Sequence, residues 1–322
     1  MNITDEYKIS SSHKFIEKQL EDTIEDLEKF PKFINIETVN TCNARCIMCG
    51  IDFDKRKNMK MSDELFEKII NEINLYSEHI RRVNLFFDNE PLMDRNLPEK
   101  IKRLKESGIK NVMIASNGSI INEMAAEKLV ESGLDEIYLS IDSLIPEIYE
   151  KIRVGLSFEK VYKNIVNLID IRNKHNSNLR IRLQMVLQKE NSSEAKEFVK
   201  HWKQYLKKND IVVVFRAHNW GGVIDVDGFS GDENLNRIPC TMLWSNFMIH
   251  SDGSVALCSV DTEQDSEYAL GNVNETSIHN VWHGDVLKEY RQNHLTWKKD
   301  KYELCNGCTT WREEPKEEYL KL

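Results

Sequence analysis

The stretch Phe33-Ile34-Asn35-Ile36-Glu37-Thr38-Val39-Asn40-Thr41-Cys42-Asn43-Ala44-Arg45-Cys46-Ile47-Met48-Cys49-Gly50 couples a β-rich run to three cysteines spaced CxxxCxxC. Three thiolates within eight residues of loop wrap one face of a cubane iron–sulfur cluster and leave one iron without a protein ligand. Zinc is the alternative occupant, but a structural zinc prefers a fourth protein ligand. None lies nearby in sequence; His79 would have to arrive from a distance.

Outward from that loop, short β-rich runs alternate with helical stretches. Phe33 to Thr38 precedes Ser62 to Ser77, Arg82 to Phe87 precedes Leu97 to Ser107, and Asn111 to Ala115 precedes Asn122 to Ser132. Glu136 to Ile141, a long helix from Ser157 to about Lys174, Leu179 to Leu187, Ser193 to about Lys207 and Ile211 to Arg216 continue the series, giving six strand-helix units. Ser62 and Asn122 mark helix starts, while Gly108 and Gly133 sit just past helix ends. Such βα repetition predicts a parallel sheet with helical crossovers, open or curled into an incomplete barrel, with function at the C-terminal ends of the strands. Lys14 to Lys29 predicts an amphipathic helix ended by Pro31.

After Arg216 the texture changes to turn signals: Trp220-Gly221-Gly222, Pro239, Asp252-Gly253-Ser254 and Asn306-Gly307. Phe247 to His250 and Ser254 to Cys258 predict a hairpin, and Val281 to His294 a helix. The expected division is a helical extension over 1–32, an α/β unit over 33–216 and a smaller unit over 217–322. The second unit holds Cys240, Cys258, Cys305 and Cys308, which by themselves suit a zinc site.

Composition narrows the partners. Forty-four basic against 53 acidic residues leave a net charge of -9, which repels phosphate backbones and anionic lipid. Neither nucleic acid nor a membrane is expected as a partner, since no apolar run approaches the ~20 residues that span a bilayer. Met1 to Ser12 lacks the basic start and apolar run of a secretory signal, so a cytoplasmic protein is expected. Seven cysteines, an odd number in a reducing compartment, point to metal or redox chemistry rather than disulfides.

The triad, on the loop after the first strand, resembles the signature of the radical S-adenosylmethionine (SAM) superfamily, and the resemblance covers nearly the whole chain. It implies a partial (βα)6 TIM-like barrel in which Cys42, Cys46 and Cys49 hold a 4Fe–4S cluster. The open iron then chelates SAM, whose one-electron cleavage yields a 5'-deoxyadenosyl radical. Asp88-Asn89-Glu90-Pro91 occupies the place of the family's Gly-Gly-Glu-Pro segment, with both glycines replaced, and implies SAM contacts at Asn89 and Glu90. Ser116 and Asn117 resemble the turn lining the adenosine site, Ser140 and Asp142 the strand-four segment near the ribose and carboxylate, and Arg153 the basic partner of the SAM carboxylate. Gln184 would touch the methionine moiety.

The segment from Trp244 to Cys258, Leu270 to Val273, Ser277 to Trp282 and Leu304 to Cys308 resembles the SPASM/twitch extension of the same superfamily, an α+β unit holding auxiliary 4Fe–4S clusters. Four cysteines suffice for one fully ligated cluster, the ligand count of 2-deoxy-scyllo-inosamine dehydrogenases. The implied cofactors are therefore SAM and two 4Fe–4S clusters. Three plus four thiols exhaust the complement of seven and leave none to quench a substrate radical, which favours oxidation. The expected substrate is a sugar, cyclitol or aminocyclitol, with Arg216 or His218 taking the proton and the auxiliary cluster the electron. The first electron would come from a donor such as flavodoxin or ferredoxin. Only 32 residues precede Phe33, too few for the precursor-recognition domain of many peptide maturases. A maturase, or an epimerase with a non-cysteine hydrogen donor, is the alternative; a zinc-stapled scaffold without SAM chemistry is the non-enzymatic one.

Overall fold

Strand β1 (Phe33–Ile36) lies in the middle of the sheet that organises the molecule. The structure is a computed structural model, and its described residues are 3–53, 56–225, 238–264, 266–298 and 301–308. After β1 the chain forms the two-residue β2 (Arg45–Cys46), then β3 (Arg82–Asn84), β4 (Val112–Ser116) and β5 (Glu136–Ser140). The short β6 (Arg153–Val154) pairs antiparallel with β2 in a separate ribbon, and β7 (Arg180–Leu187) and β8 (Ile211–Arg216) complete the first unit. β1, β3, β4, β5, β7 and β8 are all parallel and adjacent in that order, which is the expected six-stranded βα series.

Helices cover this sheet because each presents one apolar stripe. α1 (Ile3–Leu20) and α2 (Ile24–Lys29) precede β1 where a single helix ending at Lys29 was expected. Glu21 takes a left-handed φ of 55°, and the Thr23 hydroxyl accepts from Asp26 N at 3.1 Å to restart the helix. α3 (Asp63–Leu75) buries Leu65, Phe66, Ile69, Ile70 and Ile73. Its N-cap is Ser62, whose hydroxyl accepts from Leu65 N; Asn122 does the same for Ala125 N, as both sequence signals predict. α4 (Leu97–Glu106), α5 (Glu123–Glu131), α6 (Pro146–Ile152), α7 (Phe158–Lys174) and α8 (Ala195–Lys203) follow the remaining strands. The short α6 and the β2–β6 ribbon are too brief to carry a periodic signal.

The predicted C-terminal hairpin forms between β9 (Asn246–Ile249) and β10 (Ser254–Ala256), with Ile249 opposite Val255, and β11 (Gly271–Asn272) pairs beyond it. β9 also pairs in parallel with β1, Phe33 opposite Asn246, so the second unit extends the barrel's own sheet to nine strands. Helices α9 (Met242–Ser245), α10 (Ile278–Trp282), α11 (Asp285–Leu295) and α12 (Glu303–Asn306) complete it. The expected helix from Val281 to His294 is broken at Gly284, which caps α11. Among the described residues, no helix is long and apolar enough to cross a membrane.

Candidate SAM and iron–sulfur sites

At the C-terminal end of β1 the chain bends away from the sheet, and ribbon β2–β6 places Cys46 opposite Arg153. Ile47 N bonds Ile152 O at 3.0 Å and Cys49 N bonds Cys46 O at 3.1 Å, closing a tight turn with Cys42, Cys46 and Cys49 facing one cavity. That cavity, of about 360 Å³, opens at the C-terminal ends of the barrel strands. Burial, followed by the charges of neighbouring acids and thiols, pushes the Cys42 and Cys49 thiols up to about 11. Thiols gathered where a thiolate is costly suit a cation that accepts them.

Glu90 lies in the cavity wall, 2% exposed, and is not a solvated loop acid. Ser116 Oγ donates to its Oε1 at 2.8 Å and Asn117 N to its Oε2 at 2.7 Å, so Glu90 fastens the β3 loop to the end of β4. Burial outweighs those bonds and raises its carboxyl to about 7. Asn117 Nδ2 donates to Asn43 Oδ1 at 2.9 Å, which ties this wall to the cysteine loop. Asn89 Oδ1 accepts from Phe87 N, whereas its buried Nδ2 has no partner and belongs to the cavity lining.

Ser140 and Gln184, on β5 and β7, also line the cavity and bond each other at 2.9 Å. Arg153 lines it, with Nη1 3.5 Å from Cys46 Sγ. Asp142 is fully buried behind it: one carboxylate oxygen accepts from Arg153 Nε, the other from Val186 N at 2.7 Å. Burial opposes the guanidinium charge, but the Asp142 carboxylate and the Cys46 thiol hold its pKa above the ordinary value. Asp142 therefore aims Arg153 and is not itself in the lining, whereas Ser140, two residues earlier on the strand, is.

At the end of β8, Phe215 and the Ala217 that follows the strand line the cavity, while the intervening Arg216 turns away from it and is exposed. The structure brings His218 to the site and leaves Arg216 outside. Burial lowers the His218 pKa, so its imidazole is neutral. Its Nδ1 accepts from Trp220 N at 3.3 Å, which leaves the proton on Nε2 and makes that nitrogen a donor.

Cys240, Cys258, Cys305 and Cys308 line a second, mostly apolar pocket with Leu243, Leu257, Val260 and Leu304, and with His294, whose Nδ1 accepts from Cys240 N at 3.2 Å. Cys240 precedes α9, Cys258 follows β10, and Cys305 and Cys308 lie in and just after α12, so three separate pieces of chain meet there. Burial pushes the Cys240 thiol up to about 12 and Cys258 well above its ordinary value. None of the seven cysteines is in a disulfide.

Trp220 joins the two pockets. It packs with Cys240, Val260 and Cys308 on one side, lines the first cavity on the other, and donates from Nε1 to Met48 O at 2.9 Å. A Cβ at Gly50 would lie 2.7 Å from the Trp220 ring, so the residue after Cys49 has to be glycine for this contact. In the sequence, Trp220 shows only as the start of the turn signal Trp220-Gly221-Gly222.

A parallel partial barrel with three thiols at its C-terminal mouth defines an iron–sulfur α/β enzyme core. The radical SAM superfamily profile matches residues 36–202, about half the chain, and the chain belongs to that superfamily. The profile of an iron-sulfur cluster-binding domain, SPASM, matches residues 240–309. Among curated proteins, the chain is 34% identical over 131 residues to the probable GTP 3',8-cyclase of Methanococcus maripaludis strain C5, covering 40% of this chain and 43% of that protein. It is 28% identical over 194 residues to the GTP 3',8-cyclase of Limosilactobacillus fermentum, covering 58% and 54%. The chain thus spans about half the length of these relatives. Similar solved structures are BtrN in complex with AdoMet and 2-DOIA, with a TM-score of 0.59, 19% identity and coverage of 88% of this chain and 94% of that one. SuiB of Streptococcus suis bound to precursor peptide SuiA gives 0.62, 15%, 82% and 67%. These likenesses establish the fold.

The cofactors of this family, SAM and 4Fe–4S clusters, suit the residues present. Cys42, Cys46 and Cys49 would hold the cluster that binds SAM, with the unpartnered Asn89 Nδ2 and the Arg153 guanidinium facing the same space. Four thiols in an apolar shell would hold the auxiliary cluster.

Proposed function

We propose that this chain oxidises a carbon bearing a hydroxyl or amine in a small polar substrate of the sugar, cyclitol or aminocyclitol class. When bound, SAM and the two clusters supply a hydrogen-abstracting radical and a one-electron acceptor. The observation that carries the reading is that seven thiols divide into three at the cavity and four in the second pocket, leaving no cysteine to return a hydrogen atom. The net change removes one hydrogen atom, one proton and one electron from the substrate.

The chain's residues bind, orient and exclude water. Arg153, aimed by Asp142, meets the SAM carboxylate; Asn89 and the Glu90-fastened Ser116–Asn117 turn hold its other polar groups. Phe86, Phe87, Phe215 and Trp220 keep the cavity dry. His218 Nε2–H donates to the substrate oxygen as the resident tautomer, and the proton lost from the substrate passes to solvent through the open mouth of the cavity. The external electron donor in this reading is a flavodoxin or ferredoxin.

Cyclisation of GTP, the activity named for the curated relatives, is the second reading. Among the described residues Arg153 is the only Lys or Arg in the cavity lining, and it is already paired to Asp142, a poor cradle for a triphosphate. Deuterated aminocyclitols, sugars, GTP and peptides offered to the reconstituted enzyme test the proposal. Deuterium should enter 5'-deoxyadenosine from a cyclitol or sugar, with a ketone or imine product; transfer from GTP or a peptide alone would overturn it.

A further inference from the structure

Three residues outside both thiol sites meet at the seam where the second unit joins the barrel. Glu37 follows β1, Asp88 follows β3 and His250 follows β9, three adjacent strands. None is more than 1% exposed. One donor atom from each lies within 4.8 Å of the others. Neither His250 ring nitrogen has a hydrogen-bond partner, and nor does Asp88 Oδ2, although all three atoms are buried. Such orphaned polar atoms are costly unless something else meets them.

We propose that Glu37, Asp88 and His250 bind a divalent first-row cation that staples the second unit to the barrel. His250 Nδ1 stands 3.7 Å from Glu37 Oε2, too long for a hydrogen bond. Two ligands at about 2.1 Å from one ion stand roughly 3.4 Å apart at a tetrahedral angle and roughly 4.2 Å apart when opposed, so the observed spacing suits a shared ion. Arg56 occupies only Oε1 of Glu37, at 2.8 Å, while Oε2 accepts from Ser251 N at 3.1 Å and faces His250. Three carboxylates, Glu37, Asp88 and the nearby buried Asp261, against one guanidinium leave the cluster short of positive charge. Burial and the Glu37 charge accordingly push the Asp88 carboxyl well up, a penalty that a cation relieves. One imidazole and two carboxylates are a donor set for Mn²⁺, Fe²⁺ or Zn²⁺. The same seam carries the backbone bond from Glu37 N to Ile249 O at 2.9 Å, so the ion would reinforce the junction of β1 and β9.

The test uses holoenzyme with both clusters oxidised and loosely held metal removed by a mild chelator. Mn(II) is titrated in and followed by electron paramagnetic resonance, with thermal unfolding measured in parallel. One Mn(II) per chain should bind and raise the unfolding midpoint. Asp88→Asn and His250→Gln should weaken binding by about tenfold or more. His279→Ala, on an exposed histidine, should not change it. Absence of a stoichiometric site in the unaltered holoenzyme, or equal affinity in the Asp88 and His250 variants, would mean a hydrated polar pocket and overturn the proposal. Since the readout is metal binding and stability, its failure leaves the proposed oxidation untouched.

Discussion

The two thiol sites are built in opposite ways. The first draws Cys42, Cys46 and Cys49 from one loop and sets them in the wall of an open cavity of about 360 Å³. The second draws four cysteines from three separate segments between 240 and 308 and closes a mostly apolar pocket around them. Three ligands leave a metal position to exchange with solvent or SAM, whereas four leave none, and in the proposed reaction the open site is the one that binds and the closed one the one that takes the electron. Trp220 touches both, its indole bonded to Met48 O and its ring packed near Cys240 and Cys308.

The contrast can be broken most directly at the open site. Cys46→Ala should reduce 5'-deoxyadenosine formation under strong reductant to background, read by chromatography. Cys305→Ala should instead preserve SAM cleavage while removing oxidised product, with iron falling from about eight to about four per chain. Full turnover in that variant would remove the acceptor role from the closed site.

A third prediction concerns support of the open site. Arg153→Met strands the fully buried Asp142 carboxylate and should cost about 3–5 kcal/mol in denaturant unfolding. The double variant with Asp142→Asn should recover part of that loss, because the stranded charge is gone.

His218 gives a smaller effect. Burial lowers its pKa below 6.5, so the unfolded chain takes up the proton first and stability is lost as pH falls below 6.5. That acid-side loss of the unfolding midpoint below pH 6.5 should vanish in His218→Gln. Smallest is Trp220→Phe, which keeps the ring and deletes the bond to Met48 O. A loss of about 1 kcal/mol is expected from the midpoint of denaturant unfolding.

Much of this site was legible because its parts are local. CxxxCxxC after a β-rich run needs only a few consecutive residues to declare itself, and Ser62, Asn122 and the Asp252-Gly253 turn act within four residues. Arg153 was legible too, yet its orientation depends on Asp142, which sits on a different stretch of chain and faces it rather than the cavity. Arg216 and His218 were indistinguishable as letters at the end of β8; the pleat turns Arg216 outward, and the chain has left the strand by His218, which lines the cavity. The break at Glu21 also escaped, because a left-handed residue interrupts a helix without changing its apolar period.

By itself the sequence determined the alternating βα order, the two thiol sets and their unequal counts, since covalent spacing and hydrophobic period are properties of neighbouring residues. Only the tertiary structure decided that β9 joins β1 in one sheet, that Trp220 spans the thiol pockets, and that Glu37, Asp88 and His250 meet. Those pairings bring together residues up to some two hundred positions apart, and they are selected by burying whole faces of the sheet, a collective gain that no short stretch of chain expresses.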